Sequence, residues 1–316
     1  MAKIKRSFGW RPSLPDFRDY TRDHDHISPS KKAAGQTKSI KDMLQVLYPN
    51  VSTPYDDADA GAPTGLPTNI DLRQWCSPIA DQGGCGSCCA HAGVGLLEFM
   101  ENKAFGKFTP ASRLFLYKTL RTLMHQTGDV GGELRTTMQA LATFGVPPEE
   151  YWPYTDDPNA FDVEPGAFQY SFAGNFAALN YVRLDPSGIA PGILLDKIKT
   201  SLSTELPAMF GFTVYSSYSQ SETKGGMFPF PTRGEQVVGG HALLAVGYSD
   251  SMEIVNTNAK GTITTGALLI RNSWGEGWGS NGYGYLPYQY VLAGLATDWW
   301  NLLKQEWLDE SLFNAA

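Results

Sequence analysis

Patterns typical of helices fill the first half of this 316-residue chain, and patterns typical of strands fill the second half. Apolar residues recur at helical spacing in three segments, which are Cys88–Lys103, Ala111–His125 and Leu134–Phe144. From about Asn175 the texture becomes strand-like, with the best candidates at Ala208–Val214, Ala242–Tyr248, Ala267–Asn272 and Gly284–Leu286. This separation indicates an α+β fold with two lobes, one helical and one β-rich.

The two ends of the chain are less regular. Residues 1–41 hold ten Lys/Arg and four Asp/Glu, a net charge of +6, whereas the rest holds 15 and 28, a net charge of −13. Lys41–Tyr48 predicts a short helix, Pro49–Pro67 a linker and Trp299–Leu308 an amphipathic helix. We place an extension at 1–66 and a globular domain at 67–316, with a helical lobe over about 76–175 and a β-rich lobe over about 176–310.

Composition argues against several classes of protein. No run approaches the 18 apolar residues of a membrane-spanning helix, and no apolar stretch follows the charged N-terminus as in a secretory signal. The acidic body, in a chain of net charge −7, argues against nucleic-acid binding. Four cysteines crowd into fourteen positions, unlike a disulfide framework, so a reducing, cytoplasmic location is expected: Cys76, Cys85, Cys88 and Cys89.

Two short motifs fail when their context is considered. Gly277–Gly282 matches a dinucleotide-binding glycine pattern, but no helix can readily follow it and no acidic residue stands where the ribose would need one. Cys85 and Cys88 form a CxxC, which is typical of redox pairs and half zinc sites. No second Cys/His pair and no βαβ context accompany it, so both interpretations are weak.

The segment with the most chemical information is Asp81–Ala90, DQGGCGSCCA. Gln82 precedes a glycine-rich turn, and Cys88 stands where a helix is predicted to begin. Unsatisfied N–H groups at a helix N-terminus favour an anion, so a thiolate there is a competent nucleophile. On this observation alone, a buried and inert cysteine is an equally good interpretation.

A cysteine nucleophile needs a base, and the base needs an acceptor that orients it. His241 precedes the apolar run ALLAVGY, and Asn272 ends another apolar strand. If those strands are neighbours, His241 and Asn272 meet. A Cys–His–Asn arrangement is suited to acyl transfer through a thioester.

Three blocks resemble the signature blocks of papain-like cysteine peptidases: DQGGCGSCCA, GGHALLAVGY and IRNSWGEGWGSNGYG. The resemblance covers roughly residues 67–310, and the blocks occur in the family's order. His241 lies 153 residues after Cys88, and Asn272 lies 31 residues after His241. The second interval is longer than expected, so Ser249–Gly266 predicts an inserted hairpin.

The resemblance implies the papain-like two-lobe fold, with the active-site cleft between the lobes. It assigns Cys88 as the nucleophile, His241 as the general acid/base and Asn272 as the residue that orients the imidazole. Gln82 and the Cys88 backbone N–H would form the oxyanion hole.

Further residues acquire expected roles from the same resemblance. Trp274 would shield the His–Asn hydrogen bond, although core packing alone also explains a tryptophan. Gly131 and Gly132, in the loop GDVGG, would pair with an extended peptide substrate, because a side chain there would block its approach. An ordinary turn before the next helix is the alternative.

The sequence departs from the family's usual pattern at three places. Cys89 replaces the usual tryptophan after the nucleophile, and His91 replaces the usual phenylalanine. Asp129 occupies the place of a usual cysteine, which leaves Cys85 without its customary disulfide partner. This favours a reduced site.

The N-terminal extension also departs from the family's long prosegments, whose helical signature is not found in residues 1–66. The string GWRPSLPDFRDY instead resembles short N-terminal segments of some bacterial and archaeal members. Its positive charge against an acidic body motivates the hypothesis that residues 1–66 cover the cleft and inhibit the enzyme, as in a zymogen. A simple topological anchor is the alternative.

Together, these expectations describe a thiol protease, with an endopeptidase favoured and an exopeptidase left open. Its partner would be a peptide or protein substrate, and no metal or organic cofactor is required. Two alternatives use the same fold: an acyl or amide transferase with the same triad, and a catalytically inactive binding scaffold.

Overall fold

The computed structural model describes residues 6–17, 19–21, 26–33, 36–47, 65–174, 180–258 and 262–304. None of the helices in these ranges has the length and apolar character that crossing a bilayer requires. The helices lie mainly in the first half of the chain, as predicted: α1 (Pro29–Ala33), α2 (Ile40–Leu47), α3 (Cys88–Phe105), α4 (Arg113–Leu123), α5 (Leu134–Phe144), α6 (Ala167–Ala173), α7 (Pro191–Ser203) and α8 (Gln289–Leu292).

One antiparallel sheet dominates the second half. Its strand order is β2-β7-β3-β4-β5-β6, and β1 pairs separately with β4. The described strands are β1 (Asn69–Asp71), β2 (Asn180–Arg183), β3 (Ala208–Tyr215), β4 (Val237–Asn256), β5 (Thr262–Arg271), β6 (Tyr283–Pro287) and β7 (Ala296–Leu303).

Most of the sequence-based elements are confirmed. The predicted helices correspond to α2, α3, α4 and α5, and the four predicted strands to β3, β4, β5 and β6. The predicted hairpin insertion is formed by the outer ends of β4 and β5, which pair as far as Asn256 opposite Thr262. The predicted linker falls mostly on residues 48–64, outside the described ranges. The domain and lobe boundaries stay predictions.

The helix predicted at Trp299–Leu308 is wrong. Residues 296–303 form strand β7, which lies between β2 and β3, and 305–308 fall outside the described residues. Consecutive residues of this strand are buried, because an inner strand covered on both faces has no solvent side. The run WWNLL therefore satisfies a buried strand as well as one face of a helix.

Helix α3 is central and carries one wall of the cleft. It packs against α4 and α5 on one side and against β4 on the other. Its buried Glu98 forms an ion pair with Arg113 at 2.9 Å and accepts a hydrogen bond from Ser77. Gly106 ends the helix at φ 64°, a left-handed conformation that glycine adopts without strain. This packing fixes the position of the helix's first residue against the sheet.

Candidate active site

Cys88 is the first residue of α3, and its side chain is fully buried. Burial alone would raise the pKa of the thiol. The neighbouring Cys89 side chain, the imidazole of His241 and the Ala242 backbone together outweigh burial and hold the pKa of the thiol well below its ordinary value. The helix N-terminus favours the same anion. The site therefore favours the thiolate form of Cys88.

His241 on β4 and Asn272 just after β5 meet because the two strands are neighbours. Nε2 of His241 lies 2.9 Å from Oδ1 of Asn272. The same oxygen accepts the backbone N–H of Ser273 at 2.8 Å, which holds the amide oxygen toward the ring. An N–H on Nε2 fits this acceptor, and Nδ1 makes no hydrogen bond with the part of the chain that the structure describes.

Trp274 covers this pair. Its ring stacks on the imidazole of His241, with centroids 4.8 Å apart and planes 21° from parallel. The tryptophan is itself only 2% exposed and packs edge-on against Trp278. It therefore belongs to the core and also lies over the imidazole, a position from which it can exclude water from the His–Asn hydrogen bond.

Gln82, in the turn before Cys88, forms hydrogen bonds through its side-chain oxygen, its side-chain nitrogen and its backbone carbonyl. Its Oε1 accepts the Ser273 hydroxyl at 2.5 Å, and its backbone carbonyl accepts the Tyr154 hydroxyl at 2.9 Å. Its Nε2 donates to the carbonyl oxygens of Cys85 at 2.9 Å and Ser7 at 3.3 Å. The amide therefore presents an N–H donor to the Ser7 carbonyl oxygen as well as to that of Cys85.

Sequence reasoning missed two residues that support Gln82. Ser273 lies between Asn272 and Trp274 in the block IRNSWGEG, so its proximity to the site could have been inferred from that block. Tyr154 comes from the turn-rich stretch after α5, and no local pattern pointed to it. Its role depends on tertiary contacts alone.

The glycine loop approaches another stretch of backbone closely. Gly132 donates to the Gly9 carbonyl at 2.7 Å and accepts from the Arg11 N–H at 2.8 Å. Gly131 has φ 75°, and a Cβ on it would stand 2.1 Å from the Gly9 oxygen. The loop therefore pairs with an extended chain through its backbone, and here that chain is the protein's own N-terminus.

Residues 6–13, which we call the cleft segment, run through the site. The Arg6 guanidinium lies 5.0 Å over the Trp274 ring, and Phe8 stands edge-on to His241 at 6.0 Å between centroids. Trp10 is 8% exposed, and its backbone N–H donates to the Gly240 carbonyl at 2.9 Å. The segment thus covers the catalytic histidine candidate and the glycine loop together.

Asp129 takes over the connection that a disulfide would make at this place. It accepts hydrogen bonds from the Tyr117 hydroxyl at 2.6 Å and the Gly86 N–H at 2.8 Å, and the Cys85 thiol lies 3.6 Å away. Burial and the nearby Asp129 carboxylate raise the pKa of Cys85 to about 12, so this thiol stays protonated. All four cysteines are free, in agreement with a reduced site.

The other two departures are also accommodated by specific contacts. Cys89 donates its S–H to the Gly132 carbonyl at 3.2 Å, so it supports the glycine loop from α3. Burial and the Arg113 charge lower the pKa of His91 to about 3, so this histidine is neutral. Its ring packs edge-on against Tyr154 at 4.8 Å, in the place of an apolar aromatic residue.

A cysteine thiolate at a helix N-terminus, a histidine held by an asparagine on the neighbouring sheet and a side-chain amide donor define the class of cysteine-type acyl-transfer enzymes. Comparison with known proteins makes the class specific. The family described as "Papain family cysteine protease" matches residues 66–298, and the chain belongs to this family. It is a cysteine-type peptidase with the papain-like fold.

Individual relatives agree with this placement. An uncharacterized peptidase C1-like protein of Acanthamoeba polyphaga mimivirus is 34% identical over 95% of this chain and 87% of its own length. Cathepsin J of Mus musculus is 29% identical over 69% of this chain and 60% of its own length. Among solved structures, xylellain, a cysteine protease from Xylella fastidiosa, matches with a TM-score of 0.66 and 28% identity over 96% of this chain and 98% of its own.

Proposed function

We propose that the chain hydrolyses internal peptide bonds with Cys88 as nucleophile, His241 as general acid/base and Asn272 as the residue that orients it. The observation that carries this proposal is the 2.9 Å contact between His241 Nε2 and Asn272 Oδ1, beside a thiol whose pKa is lowered. A fixed imidazole next to a stabilised thiolate is the arrangement that nucleophilic catalysis by cysteine needs.

The reaction then follows two acyl-transfer steps. The Cys88 thiolate adds to the substrate carbonyl carbon. The oxygen of the tetrahedral intermediate accepts hydrogen bonds from the Gln82 side-chain amide and the Cys88 backbone N–H. The proton on His241 passes to the leaving amine, the C–N bond breaks and a thioester remains. Water, deprotonated by His241, attacks the thioester and releases the acid and the free thiolate.

The position of Ser7 supports the assignment of Gln82. The Ser7 carbonyl oxygen accepts the Gln82 Nε2 donor at 3.3 Å, as we propose that a substrate carbonyl does. The segment continues from there in both directions, to Arg6 at Trp274 and to Trp10 at Gly240. A cleft that passes a chain through on both sides favours an endopeptidase.

A transferase with the same triad differs only in what attacks the thioester. The experiment that separates the two adds a primary amine or a second peptide to the hydrolysis assay and quantifies conjugates by mass spectrometry. Hydrolysis product should dominate at every acceptor concentration if water is the physiological acceptor. Conjugates that outnumber hydrolysis products at low acceptor concentration would contradict the peptidase proposal. Neither product from a folded Trp10→Ala variant, in which the cleft segment is expected to be weakened, would indicate an inactive scaffold.

The same proposal includes inhibition by the cleft segment, because its contacts are those that a substrate would need. Gly9 and Arg11 occupy the backbone partners of the glycine loop, and a Cβ on Gly9 would stand 1.8 Å from the Gly86 oxygen. Phe8 packs on His241 and Tyr218. Substrate must displace this segment, so the resting protein is expected to be latent.

Replacing Trp10 with alanine is expected to raise kcat/KM for a small peptide by about tenfold or more, since the lost burial of an indole weakens the closed state by at least ~1.5 kcal/mol. Leu14→Ala is the matched control, because Leu14 is 83% exposed in the same stretch. The measurement is fluorogenic peptide hydrolysis, with a thermal melt to verify that both variants fold. Equal activity of the two variants would refute inhibition by this segment.

A further inference from the structure

A small polar cavity lies beside Asn272, between the start of α3 and strands β4 and β5. Its volume, measured as the space open to the centre of a water molecule, is about 10 Å³, which is room for one water. Among the residues that line it are His91 of α3, Arg271 at the end of β5 and Asn272 itself. The cavity therefore connects the helix that begins with the nucleophile to the residue that orients the imidazole.

Each of these three residues has a polar atom without a hydrogen-bond partner. The atoms are His91 Nε2, Arg271 Nη1 and Asn272 Nδ2, and none of them makes a hydrogen bond within the described part of the chain. The three residues are at most 6% exposed, so bulk water does not reach these atoms freely. A buried polar atom that stays unpaired costs free energy, and three beside one cavity indicate a shared ligand.

The hydrogen bonds around His91 decide which kind of atom its ring presents to the cavity. The Tyr154 hydroxyl donates its single proton to the Gln82 carbonyl at 2.9 Å. The Ser87 hydroxyl, 2.6 Å from the same tyrosine oxygen, therefore donates to that oxygen and has no second proton for His91. It follows that Nδ1 of His91 carries the ring proton and donates it to the Ser87 carbonyl at 3.1 Å.

The cavity is therefore lined by residues that offer one acceptor and two donors. Burial lowers the pKa of His91 to about 3, so the ring is neutral and its Nε2 can only accept. The unpartnered nitrogens of Arg271 and Asn272 can only donate. A water molecule satisfies this set, because it donates to the imidazole and accepts from both N–H groups. A halide would find the two donors but would face the lone pair of Nε2, which disfavours it.

Arg271 is held at the cavity by its other contacts. Its Nη2 donates to the Ser77 hydroxyl at 2.9 Å and to the Pro78 carbonyl at 2.8 Å. The guanidinium also lies against α3, since a Cβ on Gly95 would stand 3.5 Å from it. Gly95 is four residues after His91 and shares its face of the helix, so Arg271 and His91 lie on the same side of α3.

We propose that this cavity binds one structural water, held jointly by His91, Arg271 and Asn272, and that His91 is through this water a positioning residue for Asn272. Only the kinetic consequence rests on the proposed peptidase function. The backbone N–H of Ser273 already holds Oδ1 of Asn272 toward His241, and the water holds Nδ2 of the same amide. Both ends of the amide are then fixed, which keeps the imidazole in its productive orientation.

Crystal structures that show ordered water test the site without any turnover. In the wild type we expect a single peak at about 2.7–3.2 Å from each of the three unpartnered atoms. A bromide soak separates the two candidate ligands, because bromide replaces a bound halide and gives an anomalous signal, whereas a water site gives none. The absence of a peak, or an anomalous peak in its place, would overturn the inference.

Two substitutions of His91 separate positioning from packing and are each other's matched control. His91→Phe keeps an aromatic ring against Tyr154 but has no acceptor, whereas His91→Gln loses the ring and keeps an acceptor near the place of Nε2. In the Trp10→Ala background we expect His91→Phe to lower kcat by about fivefold or more with little change in KM, as the loss of a hydrogen bond to buried groups predicts. His91→Gln should stay within about twofold of its parent, because the acceptor is preserved.

A role in packing alone predicts the opposite order, because glutamine disturbs the aromatic contact more than phenylalanine does. Thermal melts verify that both variants fold, and equal kcat in the two, or a larger fall in His91→Gln, would overturn the positioning role. In crystals, the distance from His241 Nε2 to Asn272 Oδ1, 2.9 Å here, should lengthen in His91→Phe only. The water and this distance are measurable even if no peptide is ever cleaved, an outcome that would contradict only the proposed function.

Discussion

Cys88→Ala is expected to reduce peptide hydrolysis by about 10⁴-fold or more, because the side chain that forms the thioester is removed and the remaining groups cannot replace a covalent step. The variant should fold normally. The change deletes one buried sulfur at the beginning of α3, and its neighbours Cys89 and His241 keep their positions on α3 and β4. The measurement is kcat/KM for a fluorogenic peptide in the Trp10→Ala background, where the cleft is expected to be accessible.

Cys76→Ala provides the control for this variant. Cys76 is half-buried, and its thiol lies 4.0 Å from the Leu72 carbonyl oxygen, outside the cleft. Its loss should change kcat/KM by less than about threefold, as substitutions away from a site usually do. Residual hydrolysis above about 1% in a folded Cys88→Ala protein would contradict its role as nucleophile, given the size of the covalent contribution.

Gln82→Ala is expected to lower kcat by about 10²–10³-fold with little change in KM, since an oxyanion-hole donor acts mainly when charge develops on the carbonyl oxygen. Two hydrogen bonds in the structure fix the position of this donor. Ser273 and Tyr154 fix the two ends of the residue, and Nε2 is directed to a carbonyl in the cleft. Separate determination of kcat and KM, again in the Trp10→Ala background, distinguishes this role from substrate binding.

Gln74→Ala is the matched control for that change, because Gln74 is an exposed glutamine outside the cleft. It should leave both constants unchanged. The isosteric Gln82→Glu gives a second readout, since it removes the N–H donors while preserving size and should reduce kcat at least as strongly as alanine does. A rise in KM with unchanged kcat in both Gln82 variants would mean that the residue only binds substrate.

The residues of the candidate site could be proposed from the sequence because each lies in a short, chemically distinctive block. Cys88 follows a glycine-rich turn at a helix start, and His241 and Asn272 border apolar strands. Their meeting depends on β4 and β5 being neighbours, which the long hairpin between them makes natural. Periodicity therefore predicted the elements, whereas the geometry of the site required the sheet order.

The features that sequence could not supply are those set by tertiary contacts. The run that forms β7 is apolar at consecutive positions, so it fits a helix and a buried strand equally well, and only its place between β2 and β3 decides. Strand β7 also contains a bulge, because Met209 and Gly211 of β3 pair with Trp300 and Thr297 while Asp298 has φ 64°. No sequence pattern marks an aspartate in the left-handed conformation, so this bulge could not be predicted.

The difference in net charge motivated the hypothesis that the N-terminal extension covers the cleft. The contacts of its described residues do not, however, depend mainly on charge. Trp10 and Gly9 dock through backbone pairing and aromatic burial. Arg6 pairs with Glu222 at 3.5 Å, in the direction that the charge argument expects. Asp19 pairs with Arg135 at 2.6 Å, in the opposite direction, so local complementarity matters more than the overall difference in charge.

The central claim, an activated Cys88 thiolate in a peptide-binding cleft, is tested most directly by mapping the adduct of a peptidyl epoxide by mass spectrometry. Labelling is carried out at about pH 6 with reductant, where a cysteine of ordinary pKa is less than about 1% thiolate. The account predicts an adduct on Cys88 alone among the four cysteines, formed faster in Trp10→Ala than in the wild type. No adduct on Cys88 in folded Trp10→Ala, or equal labelling of Cys76, would contradict it.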